Sequence, residues 1–84
     1  MSPYYVYVLL SLKDGKCYVG VSNNLLRRYW QHANGFVKST RYRRPFTMVH
    51  WEMFPDKKSA MAREKWLKSA EAAEFKSQLR AMCP

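Results

Sequence analysis

Apolar residues run without a break over residues 4–10, whereas elsewhere they alternate with polar positions or recur at helical spacing. A continuous, β-rich apolar run suits a strand covered on both faces, so residues 4–10 are predicted as the first strand, central in its sheet. Asp14-Gly15 supplies a turn, and residues 16–21 read as a second strand, giving an antiparallel hairpin whose loop, 11–16, is polar and exposed. Ser22, Asn23 and Asn24 offer capping oxygens; Leu25, Leu26, Tyr29 and Ala33 then follow helical spacing until Asn34-Gly35 stops the run. In this first helix Asn24, Arg28 and His32 are successive i, i+4 positions and share a face. A basic loop, 35–45, leads to residues 46–54, rich in aromatic and β-branched side chains and ended by Pro55-Asp56: a third strand. Asp56 is placed to cap a second helix over 57–69, with Ala60, Glu64 and Leu67 on neighbouring ridges. Ala72, Phe75, Leu79 and Met82 mark an amphipathic third helix, with Glu71 and Glu74 near its start and Arg80 near its end. The order ββαβαα has no βαβ alternation, so the predicted class is α/β of the α+β kind: a small, three-stranded, largely antiparallel sheet flanked by helices, one domain over 1–84.

Composition adds a partner to this picture. Fifteen Lys and Arg stand against six Asp and Glu, for a net charge of +9. The excess is uneven: residues 1–51 carry eight basic residues against Asp14 alone, whereas residues 52–84 carry seven against five acids. Arg27, Arg28, Lys38, Arg41, Arg43 and Arg44 follow one another with no acid between them, interleaved with Tyr29, Trp30, Phe36 and Tyr42. Basic groups bind phosphates with release of counterions, and aromatic faces stack on bases, so nucleic acid is the favoured partner. No apolar run approaches the roughly twenty residues of a membrane span, and the start lacks a signal-peptide pattern, so a cytoplasmic protein is expected. Cys17 and Cys83 have no metal-ligand spacing and are read as free thiols. Met48, Met53, Met61, Trp51 and Trp66 are expected in the core. Trp30, beside Arg27 and Gln31, suits either core packing or base stacking.

Two tripeptides ten residues apart, Tyr5-Val6-Tyr7 and Tyr18-Val19-Gly20, precede a helix containing Arg28-Tyr29-Trp30-Gln31-His32. Lys38-Ser39-Thr40, Arg44-Pro45-Phe46 and the stretch from Ala62 to Lys68 continue the series. This ordered set resembles the GIY-YIG nuclease superfamily, in particular its small stand-alone members and the N-terminal nuclease domain found in excinuclease. The likeness covers nearly the whole chain. It implies an endonuclease that hydrolyses DNA, or RNA, phosphodiesters with one divalent ion, Mg²⁺ or Mn²⁺, and a tyrosine general base, in a DNA-repair type of setting.

Carried over residue by residue, the resemblance makes Tyr7, Tyr18, Arg28, His32 and Glu64 the catalytic set, with Glu64 as metal ligand. Arg27, Lys38, Arg41, Arg43 and Arg44 form the nucleic-acid-binding surface. Cross-strand Tyr7 and Tyr18 can present hydroxyls on one sheet face, Arg28 can hold a phosphate bidentately, and Glu64 suits a hard cation. Tyr18 is favoured as base, with Tyr7 positioning or relaying the proton. A tyrosine titrates near 10, so Arg28 and the metal are expected to lower it by two to three units, roughly 3–4 kcal/mol. One departure stands out: the glycine that opens the first tripeptide is Tyr5 here, which leaves a catalytically weak or inactive nucleic-acid-binding module as the alternative. With 84 residues and no separate DNA-reading domain, structure-selective cutting with weak sequence preference is expected. The expected assembly is a monomer or weak homodimer, with a protein partner as one source of target selection.

Overall fold

The computed structural model describes residues 3–82; Cys83 lies outside them. Strands β1 (Tyr4–Ser11), β2 (Cys17–Ser22) and β3 (Phe46–Phe54) form an antiparallel sheet in the order β2-β1-β3, so the apolar run is indeed the central strand. Helices α1 (Leu25–Ala33), α2 (Lys57–Lys68) and α3 (Ala73–Ala81) complete the order ββαβαα. Short 3-10 turns at Arg41–Arg43 and Ala70–Ala72 interrupt the basic loop and precede α3. The helix starts follow their caps: Asn24 Oδ1 accepts from Arg27 N (3.0 Å), and Asp56 Oδ1 from Ser59 N (2.7 Å).

The alternation of side chains along β1 divides the core into two layers. Val6 and Val8, with Val19 of β2, face Ala60 and Leu67 of α2, Ala72, and Leu79 of α3. Tyr7 and Leu9 face the other way, packing with Phe46, Tyr18, Met48 and the α1 residues Leu25 and Tyr29. The β1–β3 register shifts between Val8 and Leu9: Val8 pairs with His50 and Leu9 with Met48. That bulge leaves Val49 unpaired, and it turns Val49 to the valine layer while His50 packs edge-on against Phe75.

Four sequence expectations fail, each for a local reason. Ser11 is not an exposed loop residue but fully buried: its hydroxyl donates to Arg43 O (2.6 Å) and accepts from Lys13 N and Asp14 N. Trp51 and Met53 are exposed rather than core. They lie on the α1 side of edge strand β3, but α1 covers the end of the sheet near Leu9, Phe46 and Met48. Trp51 is left edge-on to Tyr5, with ring centroids 6.2 Å apart. Met61 is also exposed, on the wall of a groove. Met48 and Trp66 are half-buried against the core as expected.

The valine layer carries most of the aliphatic burial, so truncating its centre should cost the domain much of its stability. Leu67→Ala, at a fully buried position, is expected to lower the unfolding free energy by about 2–5 kcal/mol. Leu26→Ala, on the exposed side of α1, should change it by less than about 0.5 kcal/mol. Urea titrations at 25 °C that gave the two variants equal midpoints would contradict this layering.

Candidate functional site

The site is built where the edge strand β2 runs between α1 and α2. Tyr7 of β1 pairs with Gly20 of β2, and Leu9 pairs with Tyr18, so both tyrosines project from the same face of the sheet. Gly20 is what lets Tyr7 reach the edge. A methyl group at that position would fall on the Tyr7 hydroxyl and Cζ, so only glycine leaves room for the ring to lie across β2. The hydroxyl thereby enters a groove of about 560 Å³ that also receives Tyr18, Arg28 from α1 and Glu64 from α2. Four elements remote in sequence thus converge on one concave surface.

Behind the groove, the fully buried His32 closes a chain of hydrogen bonds. Tyr7 Oη lies 2.8 Å from His32 Nε2, His32 Nδ1 lies 2.8 Å from Thr40 Oγ1, and Thr40 Oγ1 lies 3.5 Å from Val37 O. A neutral imidazole has one donor and one acceptor nitrogen, so Tyr7 and Thr40 take opposite roles toward the ring. Burial, with the Arg28 charge adding to it, lowers the His32 pKa to about 4, so the ring is neutral near pH 7.

Tyr7 is held between opposing influences. Burial pushes its hydroxyl above the usual tyrosine value; the Arg28 guanidinium beside it pulls the other way, while Tyr18 and Glu64 add to the rise. In the protein alone desolvation outweighs the arginine; the lowering expected from the sequence draws on Arg28 and a bound metal together. Arg28 is oriented by its neighbour one turn on, Nη1 donating to Gln31 Oε1 at 3.1 Å. Glu64 makes the i, i+4 ion pair with Lys68 (3.2 Å) anticipated for a helix surface, and its carboxylate also lines the groove.

The surface residues divide. Arg27 lines the groove; Lys38, Arg41 and Arg44 are exposed on the basic loop. Arg43 does not join them. Its Nε donates to Asp14 Oδ2 (3.1 Å) and its Nη2 to Lys16 O (3.3 Å), so it pins the basic loop to the hairpin. Tyr5, standing where the first tripeptide has glycine, does not line the groove: it packs by Trp51 in a separate depression with Leu25 and Leu26. The substitution therefore leaves access to Tyr7 open. Sequence reasoning missed three contributors. Thr40 belongs to the buried relay, Gln31 orients Arg28, and Lys57 at the start of α2 lines the groove as a further cation. A glycine inside a strand was the one available signal for close approach, at Gly20.

A lone carboxylate beside hydroxyls is a fitting partner for a hard cation that keeps most of its shell as water and phosphate oxygen. No cluster of three or more His, Cys, Asp or Glu side chains occurs among the described residues, so a closed protein cage is not the design.

The three-stranded antiparallel sheet presents paired tyrosines, an arginine and one glutamate to the groove, and the family match below makes this a domain of nuclease-type fold. The chain belongs to the GIY-YIG family: the model of the GIY-YIG catalytic domain matches residues 3–78. A UPF0213 protein of Clostridium perfringens is 43% identical over 65 residues, spanning 76% of this chain and 69% of the relative. Another, from Natronomonas pharaonis, is 43% identical over 72 residues, 84% of each chain. The solution NMR structure of a UPF0213 protein from Bacillus halodurans superimposes with a TM-score of 0.57 at 37% identity, covering 96% of this chain and 88% of that one. Among the described residues no helix is long and apolar enough to cross a membrane.

The buried relay yields a pH signature. His32 binds a proton less readily folded, at about 4, than unfolded, near 6.5, so the unfolded state holds the extra proton between these values. The stability it represents is complete above about pH 6.5 and is lost as pH falls through that window. The loss between pH 7 and pH 5 is expected to be about 2 kcal/mol. In long-range ¹⁵N–¹H spectra His32 should stay neutral down to about pH 4. A midpoint near 6.5 would refute the arrangement.

Proposed function

We propose that the protein is a metal-dependent endonuclease that hydrolyses phosphodiester bonds of DNA, with structure-selective targeting and weak sequence preference. The observation that carries this reading is the convergence of Tyr7, Tyr18, Arg28 and Glu64 on one groove, with His32 hydrogen-bonded behind Tyr7. Arg28 holds a nonbridging oxygen pair of the scissile phosphate and balances the charge that grows there in the transition state. Glu64 would hold Mg²⁺ or Mn²⁺, which supplies Lewis-acid stabilisation of a phosphate oxygen when bound. The one-carboxylate donor set favours an ion whose shell the substrate completes.

The hydrogen bond to His32 favours Tyr7 over Tyr18 as the residue that accepts the proton of the attacking water. With the imidazole hydrogen on Nδ1, Nε2 accepts the Tyr7 hydrogen across 2.8 Å, so Tyr7 can take the water proton on Oη while passing its own hydrogen to Nε2. Tyr18, on the same face, then orients the water and phosphate. Arg28 is one of the two causes that keep His32 a weak base. A phosphate bound to Arg28 offsets that cause and raises the ring's proton affinity as the strand seats. Of the two grounds for an inactive binding module, the small size of the chain and Tyr5 in place of glycine, the second is weakened, since Tyr5 lies away from the groove.

Purified protein with Mg²⁺ or Mn²⁺ should nick at least one of a panel of flapped, branched, single-stranded and duplex DNAs, run beside RNA counterparts. Arg28→Ala and Glu64→Ala are each expected to reduce nicking about 100-fold or more. Glu64→Ala should bind DNA in EDTA as well as the wild type. Wild-type protein that binds with a steep salt dependence yet cuts nothing on the panel would overturn the nuclease reading in favour of the binding module.

A further inference from the structure

We propose that Trp30 and Phe36 form a stacking platform for an unpaired nucleotide of the strand that lies in the groove, which makes a single-stranded segment part of the substrate. The two rings are nearly parallel, with centroids 5.2 Å apart and planes at 15°. They are also open to water, Trp30 at 56% and Phe36 at 68% of full exposure. Each ring thus has one face on its neighbour and leaves the outer side of the pair uncovered.

Backbone contacts hold the pair in place. Phe36 N donates to Gln31 O (2.9 Å), and Asn34 Nδ2 donates to Trp30 O (2.8 Å). The platform is therefore organised before any ligand arrives, which reduces the entropy lost on binding. It also adjoins the groove: Arg27 and Gln31 line the groove, and Trp30 lies one turn from the first and next to the second along α1. At its other side Gly35, with φ of +80°, has no side chain where one would come within 2.9 Å of the Arg44 guanidinium carbon. Arg44 Nε donates to Arg41 O (2.8 Å), which holds that guanidinium against the loop.

Charge selects the occupant. Residues 15–51 contain no Asp or Glu, so Arg27 and Arg44 flank the rings with no carboxylate in this stretch to neutralise them. A flat apolar surface between free cations matches a polyanion that carries aromatic heterocycles. In a duplex each base face is covered by its neighbours, so an internal paired base has none to offer the platform; an unpaired base has. The inference rests on the nuclease reading only for the strand's path into the groove; the binding itself needs no turnover.

The test is fluorescence anisotropy in EDTA, with labelled single strands and blunt duplexes of one sequence, as DNA and as RNA. Trp30→Ala and Phe36→Ala should each weaken single-strand binding roughly tenfold and change duplex binding less than about twofold. Trp30→Phe, which keeps a ring, should restore most of the loss. Arg44→Ala should weaken both forms and flatten the salt dependence by about one unit of slope. Platform-dependent binding of either sugar upholds the proposal, and the DNA–RNA comparison names the strand. Equal losses for single strand and duplex, or no loss, would overturn it. So would an altered oligomeric state on sedimentation with strand binding unchanged, since the rings would then serve a protein contact. A wild type that cuts no substrate would sink the nuclease reading and leave this result standing.

Discussion

The 2.8 Å hydrogen bond between Tyr7 and His32 joins the central strand to α1 through two groups that are both buried. Either group left unpaired there would cost on the order of 1–3 kcal/mol, so the bond sets the height and rotation of α1 over the sheet. Once His32 is seated, Arg28 one turn earlier is carried to the lip of the groove. Thr40 and Val37 complete the chain, which brings the start of the basic loop against the same helix. Among the described residues every buried side-chain nitrogen or oxygen has a partner, consistent with a polar network tolerated inside an 84-residue domain because it is complete.

Most of the architecture was legible because local signals and the global fold agree. The unbroken apolar run at residues 4–10 needed cover on both sides and received it; Asn24 and Asp56 cap the helices they precede. Two of the failures share one cause, that periodicity reports which side of an element a residue faces but not how far its partner extends. Trp51 and Met53 face the α1 side of the sheet, yet the nine-residue α1 covers its other end. Ser11 reads as a polar loop residue, and its burial became visible only with the carbonyl of Arg43, 32 positions away.

The site shows the same division. Tyr7, Tyr18, Arg28, His32 and Glu64 could be named from motifs, and their convergence required only that the sheet and two helices form. Direction of charge was not legible. The sequence set Arg28 and a metal together against the usual tyrosine value, but the packing that brings Tyr7 to Arg28 also removes it from water, and in the protein alone burial wins. Arg43 is the parallel case on the surface, a cation in a basic run whose charge is engaged by Asp14 rather than offered to phosphate.

These two electrostatic facts bear on how a domain this small would avoid indiscriminate cutting under the proposed reading. With one carboxylate at the groove, a metal and a strand would complete each other's ligand sets, and reciprocity would require each to tighten the other. The buried relay is held back by the same positive charge that waits for phosphate, since Arg28 helps keep His32 a weak base until an anion offsets it. A strand that touched only the basic loop would meet Lys38, Arg41 and Arg44 without reaching Arg28, and so would gain affinity while leaving the relay unchanged. Discrimination would then reside in which nucleic-acid shapes bring a phosphate down to Arg28 between α1 and α2, and the groove between those helices, rather than the net charge, would set the choice.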